Sequence, residues 1–199
     1  MSKHERLSAT DAQAKLVQAT LESLMEEGTE GCSIRKICER ANMSVGLVNY
    51  HFGTINDLLA AAYRELALSK MNIAVEQAQS ADGARQQMSE FIKATFSESV
   101  MQVKVLRAWV VFWSLVDRSS IIKAAHDETN QAFRAYLETL FFVMNAHRPV
   151  KPTPRLAAIG LTAVIDGLWL EWCLSNETFS PEEAITLCEQ WLDSSLAKA

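Results

Sequence analysis

The sequence predicts an all-α chain, and three observations carry that prediction. Only seven glycines and four prolines interrupt the 199 residues. Apolar residues recur at i, i+3, i+4 and i+7 along nearly the whole length, and nowhere does an alternation of period two persist. The pattern divides into a head of three helices, residues 1–54, and a helical bundle, residues 55–199.

The first helix is expected from the capping signal at Thr10 and Asp11 to Gly28, with Leu16, Val17, Leu21, Leu24 and Met25 as its apolar stripe. Ser33 is placed to cap a second helix, Ile34 to Ala41, whose Ile34, Ile37, Cys38 and Ala41 share a face. Asn42, Met43 and Ser44 form a three-residue break, and Asn42 suits it because asparagine tolerates positive φ. A third helix follows over about 45–51, and a fourth from Thr54–Asp57 to Gln79. SADG at 80–83 is a joint. Helices are then expected over about 84–98, 103–118 and 120–146. HRPVKPTP at 147–154 is a loop, and helices of about 155–175 and 181–197 complete the chain. Ser180, Pro181, Glu182 and Glu183 open the last of these.

Helix, short turn and second helix, braced by a longer first one, is the helix-turn-helix arrangement whose second helix enters a DNA major groove. In SVGLVNYHF (44–52) the spacing sends Leu47 and Val48 to the core and lets Gly46 pack closely. Val45, Asn49, Tyr50 and His51 are left to face outward. Asparagine pairs with an adenine edge, while tyrosine and histidine donate to phosphate oxygens. Ser44 would cap the helix and touch a phosphate, and Arg35 of the second helix is the cationic candidate. Spacing taken alone favours a plainer reading, an aromatic corner of Tyr50, His51 and Phe52 that merely stabilises a helical hairpin.

Charge excludes a generic polyanion binder. The net value is −5, and the first 60 residues hold six Lys or Arg against eight acids, whereas phosphate contacts supply most non-specific affinity. The acids gather at 22–30 and the bases near the start and at 35–40. Cys32, Cys38, Cys173 and Cys188 lack metal-ligand spacing, so no metal, cofactor or disulfide framework is expected. No signal-like segment and no uninterrupted apolar run near eighteen residues is present, which predicts a cytoplasmic chain without membrane partners. Enzyme chemistry has little to rest on. His4, His51, His126 and His147 are isolated in sequence, and neither a nucleophile elbow nor a phosphate-cradling glycine loop occurs.

Residues 10–60 resemble the DNA-binding domain of TetR-type transcriptional repressors. The matching features are a first helix ending in E-x-G, a Ser-Ile-x-x-Ile-x-x-x-Ala second helix, Ser44 and Gly46, Tyr50-His51-Phe52, and Asp57-Leu58-Leu59. Asn42 replaces the family's turn glycine, Asn49 stands where a tyrosine is common, and Ile55 stands where a phosphate-contacting lysine is general. Loss of that lysine predicts weaker DNA affinity with a shallower salt dependence.

The second half is rich in tryptophan. In RAWVVFWSLVD (107–117), Trp109, Phe112, Trp113 and Val116 share a face; in VIDGLWLEWCL (164–174), Asp166, Trp169 and Cys173 share one, with Trp172 a step around. Aromatic stripes are ordinarily core. Tryptophans beside one acid also form the box that holds a quaternary ammonium, each ring adding cation–π attraction to a counter-charge. Lys123, Arg134 and Arg155 are read as solvated surface charge, and Leu58 to Met71 as a core stripe.

R-A-W-x-x-F-W and A-x-I-D-G-L-W-L resemble the ligand domain of BetI-type repressors, over about 100–175. The resemblance implies a choline-like effector at Trp109, Phe112, Trp113, Asp166, Trp169 and Trp172. It also implies a homodimer through the helices of about 120–146 and 155–175, the latter offering Leu156, Ile159, Gly160, Ala163 and Gly167. The expectation is a dimeric repressor on a double-stranded DNA operator, released when its effector binds. The competing expectations are a regulator sensing another apolar small molecule and an interaction protein that no longer binds DNA.

Overall fold

A computed structural model describes residues 9–147 and 149–196. Lys3, His4 and Arg6, counted above for charge and chemistry, and Ala197, expected in the last helix, lie outside them. Among the described residues there are α-helices, one 3-10 turn and no strand beyond an isolated bridge between Val150 and Leu196. The helices are α1 (Ala9–Glu27), α2 (Ile34–Ala41), α3 (Val45–Phe52), α4 (Ile55–Gln79), α5 (Ala84–Thr95), α6 (Val103–Val116), α7 (Ser120–Asn145), α8 (Pro154–Leu174) and α9 (Pro181–Ser195). Gly28–Cys32, expected as loop, is the 3-10 turn; Gly28 stops α1 with φ of +61°.

Two compact units emerge. One comprises the described residues of Met1–Leu66 with Arg107–His126; the other comprises those of Ala67–Leu106 with Asp127–Ala199. Helices α4, α6 and α7 contribute residues to both.

In the first unit a small core forms from Leu16, Ala19, Ile37, Cys38, Ala41, Val48 and Leu58, with Val17, Ile34, Met43, Phe52 and Ile55 packed around it. The break after α2 is closed by Asn42 in the left-handed region, φ 52° and ψ 48°, with Met43 N donating to Cys38 O at 2.9 Å. That 6→1 bond explains how an asparagine serves where glycine is usual. Capping departs from expectation at three places. Thr10 and Asp11 lie inside the first turn of α1, which begins at Ala9. Ser33 and Ser44 sit at the N-cap positions of α2 and α3, extended at ψ 122° and 154°, but neither side chain makes a cap hydrogen bond. At α4, Thr54 N donates to Asp57 Oδ2 at 3.1 Å and Asp57 N to Thr54 Oγ1 at 3.2 Å, a reciprocal cap.

In the second unit Ser180 and Glu183 form the capping box of α9, Glu183 N donating to Ser180 Oγ at 3.3 Å and Ser180 N to Glu183 Oε2 at 2.8 Å. Arg85 Nη2 ties α5 to α9 through Glu189 (2.6 Å) and Asp193 (2.8 Å). Helix α8 is long and apolar enough, by length and composition, to cross a membrane, although Asp166 and Glu171 break its apolar run. A core helix passes that test as readily, and α8 buries Ala157, Ala158, Leu161, Ile165 and Trp169 within its unit. Its other side exposes Leu156, Ile159, Ala163, Gly167, Leu170 and Leu174, one apolar stripe at helical spacing. Gly160 does not belong to that stripe. A Cβ there would fall 2.4 Å from Trp191 Cζ2, so the glycine admits the α9 tryptophan rather than a partner helix.

Candidate functional site

Helix α3 is anchored by one side and open on the other. Val48 is fully buried and Phe52 half-buried against the head core, while Tyr50 is 80% exposed, Val45 42% and Leu47 38%. Leu47 therefore faces outward, not into the core as its apolar character suggests. The reason is angular: at about 100° per residue, Leu47 lies roughly a quarter turn or more from Val48 and Phe52, and the small core is already filled by α1 and α2. Gly46 is likewise exposed and makes no close approach within the chain. Ser44 and Asn49 are exposed; His51 is half-buried, with its ring edge-on to Tyr50 at 5.0 Å between centroids. Gln13 Nε2 of α1 reaches His51 O at 3.4 Å.

The acids of the head lie on elements other than α3, which itself carries none. Lys36 donates to Glu27 and lies 3.7 Å from Glu30. Arg40 Nε donates to Ser23 Oγ at 3.1 Å, and its Nη2 meets Glu26. The hydrogen bond from Lys36 is the leading cause that holds the Glu27 carboxyl below its ordinary value, and the same bond raises Lys36. The acids of 22–30 are thus engaged in clasping α2 to the end of α1. The Arg35 side chain is 86% exposed and pairs with Glu39, one turn along α2, at 2.9 Å, a contact worth a few tenths of a kcal/mol and easily exchanged. Ile55 is half-buried on the head core, so an apolar contact stands where a phosphate lysine was missed.

The tryptophan candidates fall in both units. In the first, Trp109 and Trp113 stack at 6.2 Å, and Tyr63 meets Trp109 at 5.5 Å and Phe112 at 5.1 Å edge-on. Tyr63 also reaches the ring of His126 at 6.1 Å, so that histidine, isolated in sequence, is not isolated in the fold. Nothing in the local pattern marks Tyr63, which sits in the α4 core stripe and is 2% exposed. Arg107 Nη1 donates to Met25 O (3.3 Å) and Glu26 O (3.2 Å), placing a cation on the last carbonyls of α1.

In the second unit Trp169 is buried with its indole N–H donating to Thr95 O at 3.1 Å. Trp172 lies 5.6 Å from the Phe179 ring, and its buried Nε1 finds no acceptor among the described residues. Burial pushes the Asp166 carboxyl up to about 6, and the Arg134 guanidinium pulls the other way. Arg134 is therefore half-buried countercharge rather than the solvated charge expected of it. No ligating cluster of His, Cys, Asp or Glu occurs among the described residues. Burial, with Glu189 adding, pushes the Cys188 thiol up to about 12, well away from nucleophilic range.

Residues 16–62 match the model of the tetR family of bacterial regulatory proteins, and residues 84–197 match that of the BetI-type transcriptional repressor C-terminal region. The chain is 31% identical over 186 residues to the HTH-type transcriptional regulator BetI of Burkholderia thailandensis, spanning 92% of this chain and 93% of that relative. It is 29% identical over 185 residues to the regulator of the same name in a Burkholderia mallei strain, with the same coverage. Among solved structures, one from Pseudomonas aeruginosa PAO1 assigned as a transcriptional regulator superposes with a TM-score of 0.85 at 35% identity, covering 95% of this chain and 92% of that one. Another, from Saccharomonospora viridis, was solved in complex with choline. It shares the fold at a TM-score of 0.81 and 14% identity, covering 96% and 100% of the two chains.

Proposed function

Because the chain belongs to the TetR family of transcriptional regulators and carries a BetI-type C-terminal region, we propose that it is a homodimeric repressor released from its operator by a small quaternary ammonium effector. Regulators of this family bind DNA operators and small-molecule effectors as dimers, and they are not enzymes. The finer points belong to the proposal. Each subunit places α3 in one major groove of cytoplasmic DNA, the two grooves about one helical turn apart. Ser44 and Arg35 touch the phosphate backbone with Tyr50 and His51, while Val45 and Asn49 face base edges. The dimer forms through α7 and α8; the exposed stripe Leu156, Ile159, Ala163, Gly167, Leu170 and Leu174 supports this, as do Phe142 and Val143 on α7.

The single observation that carries the effector reading is Asp166. A largely buried carboxylate at a raised pKa, on a helix that also carries Trp169 and Trp172, is stabilised by a cation that enters without strong hydration, and a quaternary ammonium is such a cation. Trp169 and Trp172 accompany Asp166 on α8, and Trp109, Phe112 and Trp113 are the α6 candidates. The choline complex of the Saccharomonospora viridis relative supports trying choline first. Because α4, α6 and α7 contribute residues to both units, an effector that binds one arrangement of the dimer more tightly shifts the spacing of its two α3 helices.

The test is a choline titration of the dimer bound to DNA from upstream of its own gene. Choline should quench tryptophan fluorescence and release the duplex, and Trp113→Ala and Asp166→Asn should each raise the concentration needed. Release by an uncharged planar ligand, with no response to choline or betaine, would replace the cation reading with that of a different small molecule. A chain that shifts no upstream duplex at low salt is not an operator-bound repressor.

A further inference from the structure

The exposed side of α3 has a glycine at its centre. On a helical wheel Val48 and Phe52 mark the anchored side. Gly46 lies in the middle of the opposite side, between Asn49 and Tyr50, with Val45 and Leu47 at the rims. Glycine within a helix weakens it relative to alanine, so its presence asks for a reason. The chain itself supplies none. The positive-φ glycines are Gly28, Gly53 and Gly83, and a Cβ built at Gly46 would meet only Ser44 Oγ, at an ordinary 3.7 Å. The space beside Gly46 is therefore open to a body from outside the chain.

The chemistry around Gly46 is independent of this geometry. Val45–Phe52 contains no lysine or arginine, the forked and charged side chains that ordinarily read guanine O6 and N7. Lys36 and Arg40 of the neighbouring helix are engaged by Glu27 and Glu26, and the exposed Arg35 is assigned to the phosphate backbone above. What α3 presents instead is one free amide, Asn49, and the branched apolar ends of Val45 and Leu47. An amide pairs in bidentate fashion with adenine N6 and N7, and apolar ends meet the C5-methyl of thymine.

We propose that α3 rides with Gly46 against the floor of the major groove and reads A·T pairs there, Asn49 taking one adenine in each half-site and Val45 and Leu47 the methyls of adjoining thymines. This rests on the repressor reading above and specifies the duplex that the same face prefers. Guanine-rich half-sites are disfavoured because α3 leaves their acceptors unpaired.

The experiment selects, with the full-length dimer, from duplexes carrying about two helical turns of random sequence, then repeats the selection with Asn49→Ala and Gly46→Ala. Wild type should enrich half-sites with A·T pairs at the contacted steps. Asn49→Ala should lose the preference for adenine at one position per half-site, roughly a tenfold loss of discrimination there, and keep the others. Gly46→Ala should have an unchanged or higher Tm yet bind every enriched duplex roughly tenfold or more weakly, a split that a glycine needed by its own fold would reverse. Enrichment of G·C at those steps, an unchanged base preference in Asn49→Ala, or wild-type affinity in Gly46→Ala would each overturn the inference. Retention of the pool without enrichment overturns it while leaving DNA binding intact; no retention even at low salt removes the repressor reading and this inference with it.

Discussion

The outward face of α3 and the Asp166 segment of α8 use their polar groups in opposite ways. On α3 the polar side chains are held out in solvent: Asn49 and Tyr50 are exposed, and the helix is fastened by Val48 on its far side. On α8 they are drawn in. Asp166 is largely buried under the influence of Arg134, and Trp169 spends its N–H on Thr95 O. Polar groups held out in water cost the fold almost nothing, whereas a carboxylate drawn away from water carries a desolvation penalty.

That difference makes the largest prediction. The Asp166 carboxyl goes from 3.8 in the ordinary state to about 6 in the fold. The folded chain therefore binds more protons than the unfolded one between those values, and stability from this group is full below about pH 4 and lost as pH rises through 6. Asp166→Asn should raise unfolding free energy at pH 7 by up to about 3 kcal/mol, with the gain vanishing near pH 4. Denaturant melts at the two pH values check it. A variant less stable than wild type at pH 7 would mean that the carboxylate is fully compensated and the contrast with α3 false.

Val48→Ala tests the anchored side of α3 and should cost about 2 kcal/mol by emptying a fully buried site. A loss under about 0.5 kcal/mol would put α3 among surface elements without an anchor. The smallest effect concerns the effector. If a cation binds against ionised Asp166, choline affinity should rise about tenfold between pH 5 and pH 7, as the fraction ionised grows around a pKa of about 6. Fluorescence titration at the two pH values reads this directly, and a flat profile would separate Asp166 from the ligand.

The same contrast explains what the sequence made legible. Helix order, the left-handed Asn42, the Ser180–Glu183 box and the outward Asn49 and Tyr50 all follow from spacing along a few neighbouring residues. Leu47 was the exception on α3, because apolar character says nothing about which of two adjacent residues a small core has room for. The misreadings lie where partners come from distant helices. Arg134 on α7 resembles any surface arginine until Asp166 is known to lie near it. Gly160 looks like a partner-helix contact until Trp191 fills its open side, and Tyr63 is invisible until Trp109 and Phe112 close around it. Likewise the acids of 22–30 argued against DNA binding by their number, while the structure shows where they are spent: on Lys36 and Arg40, in pairs that join α2 to the end of α1.

The central claim is that the outward face of α3 is what meets DNA, and Tyr50 is its most exposed large side chain. The most direct measurement is fluorescence anisotropy of a labelled upstream duplex against full-length wild type and Tyr50→Ala, with Tm and dimer mass recorded on the same samples. The account predicts the same Tm and mass, with affinity lower by roughly tenfold or more from one lost charge-assisted phosphate bond. Equal affinity for the two proteins, at equal stability, would contradict it.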